Sequence, residues 1–373
     1  SSVGQFHNVV LEGPGRALVV SQVNALEVDS LGITSGAASA IQMVHLQQLT
    51  ASLLGSVTIH GTAVTPGDCL ALDEPSRLAL LDVKLAGCAV GLSVFNPRTG
   101  TPEYTVWGRE LKIQNTQNQG ILATNMPDML LDDVRLANTG LASPQAAVQL
   151  DGCSRPVLLN LGISNSSQHG LVLNNVSGGV VRGLYAVHND GQGVRLALST
   201  NMFLGEVTAA YNRQANVSVD NGTAVTLSRV LVFGGWQGLL TQSGDITVHH
   251  LQAVGNSVLD VSLDGTTAEF RDTFQAGTCA SANGATGFQG TTTCATTLTT
   301  RPILNAPLFP MVTADEGTGQ QLFDTAANLT TAKLWTASES PSRAWAPDTT
   351  LVGRCTTNCA LVDYALRTPA DDT

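Results

Sequence analysis

Asn160-Leu161-Gly162-Ile163, Gly183-Leu184-Tyr185-Ala186, Glu206-Val207-Thr208-Ala209 and Arg229-Val230-Leu231-Val232 are four copies of one short unit. In each, Leu or Val follows the opening residue, then comes any residue, then a second apolar one. The anchors stand 23 residues apart (184 − 161 = 207 − 184 = 230 − 207 = 23). A fixed period of this length marks a solenoid, in which each repeat buries its apolar face only against its neighbours. Alternation inside the unit has period 2, so each unit reads as a strand with one face turned inward.

The unit extends in both directions. Upstream are Ser30-Leu31-Gly32-Ile33, Asp82-Val83-Lys84-Leu85, Glu110-Leu111-Lys112-Ile113 and Asp133-Val134-Arg135-Leu136; downstream is His250-Leu251-Gln252-Ala253. The interval is 21 from Val230 to Leu251 (251 − 230), 27 from Val134 to Leu161 (161 − 134) and 28 from Val83 to Leu111 (111 − 83). The longer intervals hold polar inserts at 139–156 and 96–104, which read as loops leaving one corner. A second strand follows in most coils, as in Gly170-Leu171-Val172-Leu173 and Gly193-Val194-Arg195-Leu196. Between the two strands a turn repeats Asn: Asn115, Asn138, Asn165, Asn189 and Asn212. Asn tolerates the left-handed backbone of a sharp turn, and stacked amides can bond from coil to coil, so these five are expected to form a structural ladder. A leucine-rich repeat needs a longer frame and a convex helix, and the sequence has neither.

The expected fold is therefore all-β: a single-stranded right-handed parallel β-helix, with coils of about 21–28 residues. In coil length, aliphatic stacks and Asn ladder, residues 5–275 resemble the pectate-lyase-like superfamily of right-handed parallel β-helices. That resemblance implies fold and not activity, since many activities share the scaffold. The division expected is 1–275 for the β-helix and 276–373 for an irregular, disulfide-containing C-terminal cap. The ending Asp363-Tyr364-Ala365-Leu366-Arg367-Thr368-Pro369-Ala370 resembles the tails that close many secreted bacterial β-helix proteins.

Composition narrows the setting. Only 13% of the 373 residues are charged, about half the usual share, and the net charge is −11. Three lysines (Lys84, Lys112, Lys333) leave no clustered basic face for nucleic acid. No run approaches the length of a membrane span. The chain opens on Ser1 rather than Met, which suggests a removed leader. Seven cysteines and no zinc-like His/Cys spacing point to disulfides and an oxidising compartment, secreted or at a cell surface. Cys279–Cys294 and Cys355–Cys359 enclose short loops and are the expected bridges. Cys69 and Cys88 suit either a bridge between coils or buried thiols, and Cys153 is left over.

Catalytic candidates are weak. Asp132-Asp133 resembles the paired Asp of polygalacturonase-type glycosidases, and Gln168-His169-Gly170 resembles their Gly-His-Gly, but their Asn-Thr-Asp and Arg-Ile-Lys segments are absent. A lyase would bring Ca²⁺ as cofactor, several converging acids and an Arg as base. Asp151, His188, Asp190 and Arg195 lie within two coils and can share a face, although solvated turns use the same residue types. The tandem His249-His250 alternates faces, so no metal site is expected. Exposed aromatics such as Trp107 and Trp236 can stack on sugar rings.

The functional expectation is an extracellular β-helical scaffold or adhesion-type protein, non-catalytic and without cofactor, binding polysaccharide along an exposed sheet or other copies of itself. The alternative is a polysaccharide lyase or glycoside hydrolase, phage-tailspike-like depolymerases included, using Asp133, Asp151, His188, Asp190 or Arg195.

Overall fold

In the computed structural model, residues 3–283 and 285 are described, apart from 24, 39–40, 50 and 97–104. They wind into a parallel β-solenoid of about 11 turns. Each regular coil has a long strand and a four-residue strand, as in Val157–Ser164 followed by Leu171–Asn174. Strands pair with the equivalent strand one coil away and always in parallel, so Leu161, Leu184, Val207 and Val230 are successive partners. All four are about 1% exposed. They belong to one continuous core that runs from Leu26 to Ala276.

The opening residue of each repeat unit is a corner rather than a strand position. Glu110, Asp133, Asn160, Glu206 and Arg229 have φ of 58°, 50°, 52°, 56° and 55°. This left-handed residue bends every long strand into two arms, giving the coil three faces. We call them the leading face (Val157–Leu159 in one coil), the trailing face (Leu161–Ser164) and the short-strand face (Leu171–Asn174). From Ala215 onward the short strand and the next long strand run together, as in Ala215–Phe233 and Gln237–Val254.

The five asparagines fall into two adjacent columns, which corrects the expectation of one. Asn115, Asn138 and Asn165 occupy the second left-handed corner, at φ of 54°, 53° and 55°, and Asn138 Nδ2 donates to Asn115 Oδ1 at 3.3 Å near solvent. His188 and Tyr211 take that corner in the next two coils. Asn189 and Asn212 stand one residue further on and are buried. There the Asn189 amide donates to Asn212 Oδ1 (2.8 Å), Asn212 to Asn216 Oδ1 (2.8 Å), Asn216 to Asn256 Oδ1 (2.9 Å) and Asn256 to Asp260 Oδ1 (2.7 Å). The Asp260 carboxylate ends the chain by accepting from the backbone N–H groups of Gly277 and Thr278. A buried amide left unpaired costs ~1–3 kcal/mol, so the ladder is stable only while each member is satisfied.

Cys69 and Cys88 form a disulfide between adjacent coils, with their Cα atoms 5.5 Å apart. Cys153 is free and buried; Cys279 is disulfide-bonded. Regular strand continues to Ala282, past the expected boundary at 275. Cys294, Cys355, Cys359 and all of the expected cap beyond Ala285 lie outside the described residues.

Candidate functional site

Along the short-strand face the strict alternation turns one residue in two outward. Val148, Leu150, Leu171, Leu173, Val194 and Leu196 point into the core, all fully buried. The outward positions then fall in two columns across coils: Gln149, Val172, Arg195 and Ser218, and beside them Asp151, Asn174, Ala197 and Asp220. Gln149, Val172 and Arg195 of the first column and Asp151, Asn174 and Ala197 of the second, with Ala146 and with Gln168 and His169 from the turn that enters Leu171–Asn174, line an open cleft of about 390 Å³.

Its polar groups hold one another in place. Asp151 accepts from the amides of Gln149 (2.7 Å) and Asn174 (3.2 Å). The Arg195 guanidinium donates through Nε to Asp220 (3.0 Å), whose other oxygen accepts from the Ser218 hydroxyl (2.8 Å). His169 Nδ1 accepts from the backbone N–H of Gln192 at 3.0 Å. A ring nitrogen that accepts cannot carry the proton, so the neutral imidazole is protonated at Nε2. Burial, and then the positive charge of Arg195, push this histidine down to about 4, against a smaller opposing pull from Asp220. The cleft thus combines a carboxylate, an arginine and an imidazole that stays neutral in ordinary buffers.

Of the residues singled out in the sequence, Asp151, Gln168, His169 and Arg195 line this cleft. Asp133, His188 and Asp190 do not. His188 stands at the second corner, stacked on Tyr211 with ring centroids 5.2 Å apart, and burial lowers its pKa. It adjoins a second apolar cluster, on the outside of the tube, that includes Tyr185, Val187, Leu231 and Phe233. Asp190 is exposed in the turn that follows, 3.5 Å from Arg213. Asp133 is a leading-to-trailing corner beside Arg135, at 3.4 Å, and its neighbour Asp132 accepts from Asn160 Nδ2 at 2.8 Å. Their separation follows from the corner between strands, which puts residues close in sequence on different faces. Gln149 and Asn174 escaped the sequence reading. The signal was the repeat itself: 149, 172, 195 and 151, 174, 197 are each spaced by 23 (172 − 149 = 195 − 172 = 174 − 151 = 197 − 174).

Among the described residues no group of three or more His, Cys, Asp or Glu converges to hold a metal ion, and no helix is long and apolar enough to cross a membrane. The cleft lining carries one carboxylate, Asp151, whereas glycoside hydrolysis by two acids needs a flanking pair.

Residues 104–292, more than half of the chain, match the family model described as the right handed beta helix region. The chain belongs to that family. No curated protein sequence matches this family member. Among solved structures it is similar to the Dettilon tailspike protein, with TM-score 0.51 and 10% identity over 72% of this chain and 59% of that one. It is also similar to the enzymatically active domain of tailspike protein 2 of bacteriophage CBA120 (TM-score 0.49, 11% identity, 69% of this chain and 39% of that one). A third is a variant of the periplasmic alginate epimerase AlgG (TM-score 0.45, 10% identity, 74% and 79%). The chain thus spans less than two thirds of either tailspike chain. At these identities the likeness is one of fold.

Proposed function

We propose that this β-helix is an extracellular polysaccharide-binding protein whose contact surface is the short-strand face around Asp151, His169 and Arg195. The observation that carries the reading is the cleft itself: an arginine, a neutral imidazole, a carboxylate and side-chain amides aligned on adjacent coils. Coils repeat every ~4.8 Å, so an extended chain of hydroxyl-bearing units meets a row of donors and acceptors. Arg195 suits the carboxylate of an acidic sugar. The disulfide between Cys69 and Cys88 supports an oxidising location.

The test is calorimetric titration with a panel of uronate-containing, sulfated and neutral polysaccharides. Binding to an acidic member, lost in Arg195→Ala, supports the reading; no binding across the panel overturns it. A second reading, cleavage as a lyase or glycoside hydrolase, is favoured by the held tautomer of His169. Reducing-end and unsaturated-uronate assays on the same panel separate the two, since a binding scaffold releases neither product.

A further inference from the structure

The leading face carries an outward stripe that no element of the described structure covers. Leu53, Ala79, Trp107, Leu130, Val157, Val180 and Phe203 are successive register partners across seven coils. Leu53, Trp107 and Phe203 are 37%, 41% and 38% exposed, and the other four are half-buried. Two residues along each strand runs a second column with the same pairing: Gly55, Leu81, Arg109, Asp132, Leu159, Arg182 and Gly205. At ~4.8 Å per coil the stripe is roughly 30 Å long. A continuous apolar band of that length, on a chain with few charges, marks an association surface.

We infer that a second copy of this chain docks on the stripe, face to face and with its coils running in the opposite direction. The charges select that arrangement. A two-fold axis parallel to the strands keeps each column opposite itself and reverses the coil order. Passed through the coil of Arg109 it sets two arginines against each other, and through the coil of Asp132 two aspartates. Passed midway between the strands Thr105–Gln114 and Asp128–Ala137, it sets Arg109 against the partner's Asp132, twice.

The same axis matches the apolar positions of six coils, leaving Phe203 at the rim against the coil of the partner's Glu27. Trp107 meets the partner's Leu130, Ala79 the partner's Val157, Leu53 the partner's Val180 and Leu81 the partner's Leu159. A parallel arrangement, with each coil facing its own copy, would either set Trp107 against the partner's Arg109 and Leu130 against the partner's Asp132, or bring like charges of the second column together. A band two residues wide and six coils long does not exceed the lower limit of ~1,000 Å² for a stable pair, so the dimer is one that dilution dissociates. The short-strand cleft is on another face and stays open.

Sedimentation velocity over a concentration series, with thermal melts as a folding control, tests the pairing. A reversible monomer–dimer equilibrium is expected. Arg109→Asp and Asp132→Arg, each alone, should raise its dissociation constant about tenfold or more, and the double exchange should restore it. For the register, a Leu81→Cys chain mixed with a Leu159→Cys chain should form an intermolecular disulfide under mild oxidation. Leu81→Cys alone should not crosslink to itself. Monomers at every concentration, single exchanges that leave dimerisation unchanged, or crosslinking of Leu81→Cys with itself would each overturn the proposal.

Discussion

Asn216 and Gly235 have exchanged the places that their neighbours occupy. Asn216 stands in the column of Gly170, Gly193 and Gly238, just before the short strand; Gly235 stands in the ladder column of Asn189, Asn212 and Asn256. The two columns touch across adjacent coils. A Cβ on Gly193 would lie 2.5 Å from Asn212 Nδ2, and one on Gly238 2.8 Å from Asn256 Nδ2. A ladder amide therefore requires glycine opposite it. At the exchanged pair the amide comes from the other side: Asn216 fills the gap, bonding Asn212 and Asn256, and a Cβ on Gly235 would lie 2.6 Å from it. Cys69 and Cys88 occupy the same two columns further up, joined covalently.

This predicts a compensating pair of substitutions. Asn216→Gly removes one hydrogen bond from each of Asn212 and Asn256, which keep their bonds to Asn189 and the Ala186 carbonyl and to the Gly235 N–H and Asp260, and should cost ~1–3 kcal/mol. Gly235→Asn alone forces a clash with Asn216 and should cost at least as much. The double exchange rebuilds the pattern of Gly193 and Asn212, so denaturant unfolding should show it more stable than either single variant. If the single losses simply add, the two columns do not share one space.

The inward stack makes a second prediction. Leu184 is about 1% exposed between Leu161 and Val207. Leu184→Ala should cost ~2–4 kcal/mol, read from the midpoint of urea unfolding. The outward Arg182 on the same strand is exposed. Arg182→Ala loses only its pair with Glu206, at 2.8 Å, and should cost well under 1 kcal/mol.

The fold was legible because the repeat period fixes which residues stack, whatever the turns between them do. Leu161, Leu184, Val207 and Val230 needed nothing but subtraction. Where the chain bends was less legible. An αL corner inside a run of alternating residues leaves no mark in hydropathy, so Asp133 and Asn160 read as strand residues although they turn the backbone. For that reason Asp190 and His188 were grouped with Asp151 and Arg195, and the Asn column was read one residue out of step at Asn189. The cleft was half visible: Arg195 and Asp151 stand out by charge, whereas Gln149 and Asn174 acquire a role only once the 23-residue register is applied to outward positions.

The cysteines give a third prediction. Cys153 lies in the core, and burial pushes its thiol up to about 11, so it should react with a thiol reagent only after denaturation. Reducing Cys69–Cys88 opens a link between residues 19 apart and should lower stability by ~2–4 kcal/mol. Rapid labelling of Cys153 in the native protein would contradict the burial.

His169 carries the last prediction, on pH. Its imidazole has a folded-state pKa of about 4, against an ordinary value near 6.5. Between those two values the unfolded chain binds a proton that the folded protein refuses. Stability therefore rises with pH across that window, and the contribution of this residue is complete above about 6.5 and is lost as pH falls to 4. His188, whose pKa is also lowered, acts in the same direction, so the measurement is a difference: the pH dependence of unfolding free energy in wild type minus that in His169→Gln. The subtraction should leave a slope confined to the acid side of neutrality. In NMR titration the His169 ring should remain the Nε2–H tautomer down to about pH 4. Because Arg195 contributes to the depression, Arg195→Ala should move the midpoint upward without returning it to 6.5, since burial remains. An acidic polysaccharide in the cleft should act oppositely to Arg195 and raise the midpoint on binding, so its affinity should strengthen as pH drops toward 4. A wild-type midpoint at 6.5, unmoved by Arg195→Ala, would show that the ring is solvated and that the cleft does not hold it.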